Sequence, residues 1–183
     1  MKKMIVLLVL LLTACNTTNT PETPETLATN EPVATKTTDG LSDRAFDITV
    51  ESAKDVYNVG EDIEIIATLT NTSNEAITIG HGASWMTFGT TNLTKDYQFG
   101  FVANMPYITQ TIQPGESVTE TYGFSGATYT EGMPGEPYSD EEFMQMTEQF
   151  PAGQYEVSAL IDFVNEGNGD EYDGLLSVIF NVQ

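Results

Sequence analysis

The chain has 183 residues, 27 of them acidic and 6 basic, for a formal charge of −21 at pH 7. A balance this acidic argues against nucleic acid and anionic lipid headgroups as partners, and fits cationic or metal partners or simply an acidic surface. The single cysteine, Cys15, leaves no pair for an internal disulfide, so a hydrophobic core must carry the fold.

The chain opens with a leader over residues 1–14. Lys2 and Lys3 give it a positive start, residues 4–12 are an unbroken apolar run, and Thr13 and Ala14 are small. That is the layout of a secretory signal peptide, and the run falls short of the ~20 apolar residues a spanning helix needs. Leu12-Thr13-Ala14-Cys15 resembles the lipobox of bacterial lipoproteins. The resemblance implies cleavage before Cys15, lipidation of its thiol (palmitate among the acyl groups), and an extracytoplasmic protein held on the cell membrane by that lipid. Asn16 leaves the envelope type open. Residues 15–42 hold the lipidation site and a linker of Thr, Pro, Glu and Asn, in which Thr20-Pro21-Glu22 recurs as Thr23-Pro24-Glu25. Such a segment buries too little apolar surface to offset its ordering entropy, which predicts a disordered tether.

Residues 43–183 are expected to form one domain. Phe46, Ile48 and Val50 alternate with Asp47, Thr49 and Glu51, the period of a half-buried strand. A turn at 59–62 leads to a more buried strand over 63–70, and polar residues 71–74 lead to a short one at 76–79. Gly80-His81-Gly82 reads as a turn before a strand holding Trp85, Met86 and Phe88. Tyr97, Phe99 and Phe101 follow at two-residue spacing. Another strand is expected over 107–112, ended by Gln113-Pro114-Gly115-Glu116, and then one along which Val118, Tyr122 and Phe124 point one way.

Residues 125–150 break this rhythm. Turn residues Gly132, Pro134, Gly135 and Pro137 precede a capping box, with Ser139 as N-cap and Glu142 reaching back. Phe143, Met146 and Phe150 then fall at helical spacing before Pro151. Beyond it, Tyr155, Val157, Ala159, Ile161 and Phe163 share one face of the clearest strand. Leu176, Val178, Phe180 and Val182 alternate along the last, with a polar acidic loop at 165–174 between them. The sum is an all-β antiparallel sandwich with one short insertion helix, preceded by the tether.

Two local patterns carry a resemblance to immunoglobulin-like domains. Tyr57-Asn58-Val59-Gly60-Glu61, an apolar strand and Leu69-Thr70-Asn71-Thr72-Ser73 look like the early strands of bacterial members. Gly153-Gln154-Tyr155-Glu156-Val157 looks like a tyrosine corner, with Val157 where antibody domains carry a cysteine. The order of parts is also similar to the intracellular proteinase inhibitor family of bacilli, through Leu69 to Ser73, Pro114-Gly115-Glu116 and Gly153 to Tyr155. That likeness implies the same sandwich and an inhibitory loop, for which the 125–150 insertion is the place. Export and the insertion itself depart from the pattern.

Candidate chemistry is sparse. His81 is the only histidine, no Gly-x-Ser-x-Gly elbow accompanies it, and a zinc site of the His/Cys kind lacks ligands. Asp162, Asp170 and Asp173 are candidate Ca²⁺ ligands by oxygen chemistry, although their spacing does not match an EF-hand loop. Met144 and Met146 would offer thioethers to Cu(I), but Met146 shares the helical face of Phe143 and Phe150, so packing accounts for it. No cofactor and no catalytic residue is assigned. The reading is a monomeric binding or adaptor module for a protein or cell-envelope ligand. Cys15 anchors it, Tyr138, Glu141, Glu142 and Met144 of the insertion are the expected contact residues, and the 165–174 hairpin is the second expected binding surface.

Overall fold

The computed structural model describes residues 37–43, 45–99, 106–124 and 138–183. The leader with Cys15, the linker up to residue 36, Phe101 and the turn-rich residues 125–137 lie outside them. The described residues form ten strands and one helix: β1 (Thr37–Asp43), β2 (Phe46–Ser52), β3 (Val56–Tyr57), β4 (Ile65–Asn71), β5 (Ile77–Asn92), β6 (Tyr97–Phe99), β7 (Ile108–Ile112), β8 (Ser117–Thr121), α1 (Asp140–Glu148), β9 (Gly153–Asn165) and β10 (Glu171–Val182). One sheet runs β1-β2-β4-β8. The other runs β3-β10-β9-β5-β6, with β7 paired to the first part of β5. All pairings are antiparallel except the short one of β3 with β10.

This order is that of an immunoglobulin-like sandwich. β2, β4 and β8 stand where strands A, B and E lie, and β10, β9 and β5 where G, F and C lie. Strict alternation produces it. β2 and β4 bury every second residue, and β9 does so from Tyr155 to Asn165. Phe46, Ile48, Val50, Ile65, Ala67 and Leu69 of one sheet therefore meet Tyr155, Val157, Ala159, Ile161, Phe163 and Phe180 of the other. Each large side chain so buried contributes about 1.5–3 kcal/mol.

The structure corrects three expectations. Gly80-His81-Gly82 is not a turn but the middle of β5, which replaces two expected short strands with a single long one. A register shift against β9 falls between His81 and Met86, and the bulge lets the adjacent Trp85 and Met86 both enter the core, 1% and 2% exposed. The glycine at 80 leaves room for the exposed Tyr107 ring, whose Cζ stands 2.6 Å from where a Cβ would be. Second, residues 37–42, assigned to the tether, belong to β1. Backbone pairing to β2 needs no large side chains, and Asp39 ties the strand down by accepting from the Gly40 and Ser177 amides at 2.9 and 3.0 Å. Third, β8 ends at Thr121, short of Tyr122, whose amide still donates to the Ile65 carbonyl at 2.9 Å, and of Phe124.

Two buried polar side chains close the ends of the sandwich. Tyr155 Oη donates to the Pro151 carbonyl at 2.8 Å, the tyrosine corner, and burial pushes its pKa up to about 12. Asn71, fully buried at the end of β4, donates through Nδ2 to the carbonyls of Glu75 (2.8 Å) and Ile112 (2.9 Å). Its Oδ1 accepts from the Ser73 amide and hydroxyl at 2.9 and 2.7 Å. Asn71→Asp keeps the shape and removes both donors. It is expected to cost about 2–4 kcal/mol in urea unfolding at pH 7, because two buried carbonyls then face a carboxylate. Burial would raise that carboxyl above its ordinary ~3.9, so the deficit relative to the parent chain narrows as pH falls toward ~4. An equal deficit at both pH values would count against this account.

Candidate functional site

The insertion is anchored where the sequence placed its signals. Ser139 caps α1: its Oγ accepts from the Glu142 amide at 3.2 Å, and Glu142 Oε2 accepts from the Ser139 amide at 2.9 Å. Glu142 Oε1 also holds Lys95 Nζ at 2.7 Å, which ties the helix to the turn after β5. That turn is itself held by Asn92 Oδ1, which accepts from the Thr94 and Lys95 amides at 3.0 and 3.1 Å. Inward from the helix, Met146 and Phe150 are buried and Phe143 half-buried.

These rings continue a run of aromatic contacts into the core. Phe150 meets Phe124 (5.8 Å between centroids), Tyr155 (5.0 Å) and Phe180 (6.0 Å). Phe124 and Tyr138, the residues that flank 125–137, both pack on Phe99, at 5.4 and 4.5 Å. The two stems of the insertion are thus held against one ring. Edge-to-face and offset contacts of this kind contribute about 0.5–1.5 kcal/mol each beyond area burial.

The expected contact residues divide accordingly. Tyr138 is a half-buried packing residue, stacked on Phe143 at 6.1 Å, with its pKa raised by burial. Glu142 is cap and ion-pair partner. Glu141 and Met144, the latter 56% exposed, face outward on the helix and are free of such duties. The capping role of Glu142 is legible in the sequence, whereas the packing role of Tyr138 is decided by the distant Phe99.

The acidic hairpin does not gather its carboxylates. Asp162 and Asp173 are register partners on β9 and β10, both exposed on the outer face. Asp170 lies in the turn, where its carboxylate accepts from Asn168 Nδ2 at 2.9 Å. Asn165 organises that turn: its Oδ1 accepts from the Gly167 amide at 2.9 Å, and its main chain bonds to Gly169 and Asp170. Among the described residues no three His, Cys, Asp or Glu side chains are placed to hold a metal ion. Met146 is buried while Met144 points outward, so the two do not form a thioether pair. His81 lies in the core, 8% exposed, opposite Phe163 and Ile108. Its Nδ1 bonds to the Gly82 carbonyl at 2.9 Å rather than to a carboxylate, and its Nε2 has no partner.

One surface went unread in the sequence. Leu160 and Leu175, 39% and 65% exposed, oppose each other on the outer face of β9 and β10. Leucine at positions of outward parity, between the inward Ala159 and Ile161 and beside the inward Leu176, was the available signal.

Glu142 supplies a pH test of the anchor. The Lys95 ammonium first, then the Ser139 amide, hold its carboxyl down to about 2. A group lowered in the folded state contributes fully above the ordinary glutamate value of ~4.3 and loses that contribution as pH falls through its folded value. Amide exchange over residues 140–148 is therefore expected to accelerate between about pH 4 and about pH 2, after correction for intrinsic rates. In Glu142→Gln the same amides should exchange faster at pH 7 and show no such step.

Comparison with protein-family models and with curated proteins finds no match for this chain.

Proposed function

We propose that this chain is a lipid-anchored extracytoplasmic lipoprotein whose sandwich works as a binding or adaptor module, and not as an enzyme. Its ligand is a protein or a component of the cell envelope. The observation that carries the binding role is the division of labour on α1. Phe143, Met146 and Glu142 hold the helix to the sandwich, while Glu141 and Met144 are left at its surface. A surface segment fixed in this way loses little conformational entropy when it meets a partner. The anchoring role rests on the leader and Cys15.

A second reading is proteinase inhibition, which the clamped stems favour. A substrate-like loop resists cleavage when both ends are held, and Phe124 and Tyr138 share Phe99 as their support. Titrating the full chain against subtilisin- and trypsin-type proteases separates the two readings. The adaptor reading expects full protease activity at excess chain. Stoichiometric loss of activity with the chain intact would replace it by inhibition.

The anchor is tested independently in a bacterial host fed labelled palmitate. Label is expected in the membrane-bound chain, and Cys15→Ala is expected to abolish it and leave the leader attached. Label persisting in the variant would refute the lipoprotein assignment.

A further inference from the structure

Among the described residues no element packs on the outer face of the β5-β9-β10 sheet around Leu160 and Leu175, and its residues can be laid out from the register. Directly opposed residues share a face with Cβ atoms about 4.5–5.5 Å apart. One row is Thr87, Leu160 and Leu175, and the next is Gly89, Ser158 and Ser177. On the other side of the leucine row stand Asp162 and Asp173, where the β5 bulge leaves Asp162 without a partner from that strand. The two leucines therefore form an exposed apolar centre, bordered on one side by small residues and on the other by two carboxylates.

The aspartates are out of keeping with folding alone. Like charges directly opposed across a ladder are destabilising. No hydrogen bond or ion pair offsets this pair among the described residues. The two lysines there, Lys54 and Lys95, are bound to Glu61 and Glu142. An apolar centre with uncompensated negative charge beside it asks for a complementary surface.

We infer that this face is a second docking surface, and that its occupant is a basic protein. That partner seats an apolar side chain against Leu160 and Leu175. It places a lysine or arginine about 7 Å further along, one two-residue step of a strand, to bridge Asp162 and Asp173. Charge excludes the other occupants. A second copy would bring the same carboxylates to the interface on a chain of net −21, and an anionic membrane would repel it likewise. This surface lies on other strands than α1 and stands apart from the role proposed for that helix.

The test uses the full chain and three labelled heptapeptides, read by fluorescence anisotropy at low salt. One alternates Lys and Leu, one alternates Lys and Ser, and one alternates Glu and Leu. The Lys/Leu peptide is expected to bind about tenfold more tightly than either of the others. Leu175→Ser and the pair Asp162→Asn/Asp173→Asn should each weaken it about tenfold. Asp47→Asn/Glu64→Gln, equal in charge removed but placed on β2 and just before β4, away from this face, should leave it unchanged. Equal binding of the Lys/Ser peptide, or equal loss in both charge variants, would mean attraction to net charge and overturn the proposal. So would a Kd weaker than about 1 mM for the Lys/Leu peptide. Light scattering of the chain alone covers the remaining case: a dimer abolished by Leu175→Ser would assign the face to a second copy instead.

Discussion

Asn71 is the side chain on which the sandwich turns. It ends β4 in one sheet, yet its amide donates to the Ile112 carbonyl at the end of β7 in the other. The same side chain shapes the 73–75 turn, through Ser73 and the Glu75 carbonyl. Its backbone joins the turn before β8, accepting from Gly115 and donating to Glu116. One buried residue thus satisfies the loose ends left where three segments stop at once. A buried carbonyl without a partner costs more than a hydrogen bond gains, so the arrangement is needed as a whole or not at all. Asparagine suits it because it carries both donors and an acceptor in a short side chain.

At the other end of the sheets the work is done by rings. Tyr57 packs on Phe180, Phe180 on Tyr155, and Tyr155 on Phe150, so the core continues into the insertion without a polar break. Tyr57 and Tyr155 also bring hydroxyls that serve the chain near them. Tyr57 Oη donates to the Glu64 carbonyl at 3.0 Å and lies 2.9 Å from the Ser52 hydroxyl. This lets the chain leave β2 and cross to pair with β10 as β3, the parallel contact in the sheet. The helix is therefore an extension of the core, and a change at Phe150 would reach Phe180 and the final strand.

Much of this was legible in the residues. Alternation through Phe46, Ile48 and Val50, and through Tyr155 to Phe163, marks strands because one face is buried and the other is not. Ser139 and Glu142 declare the helix start because a capping box is local chemistry. What failed were features decided by partners distant in sequence. Gly80 and Gly82 carry the signature of a turn, but pairing of Gly80 with Thr109 of β7 and Val164 of β9, both distant in sequence, keeps it in a strand. β1 has no apolar signal because its bonds are to the backbone of β2. Glu142 is legible as the capping partner of Ser139, but its ion pair with Lys95, 47 positions away, is not. The Asp162–Asp173 pair looked like a ligand cluster with Asp170 because proximity in sequence does not say which carboxylates a hairpin turn engages.

Charge gives the outer faces their different characters. Lys54 holds Glu61 in the turn after β3, and Lys95 holds Glu142 under α1. Each pair is surface-exposed and energetically small, yet each fixes a segment that leaves the sheets. Among the described residues the two lysines sit at these excursions, which leaves the broad faces to the carboxylates. On the β9-β10 face two carboxylates stand to one side of two exposed leucines that water solvates poorly. A partner that supplies both apolar cover and positive charge gains from each at the same place, and one that supplies only charge gains no more there than elsewhere on this surface. Selectivity at this face therefore depends on the leucines being exposed beside the aspartates, and not on the total charge of the chain.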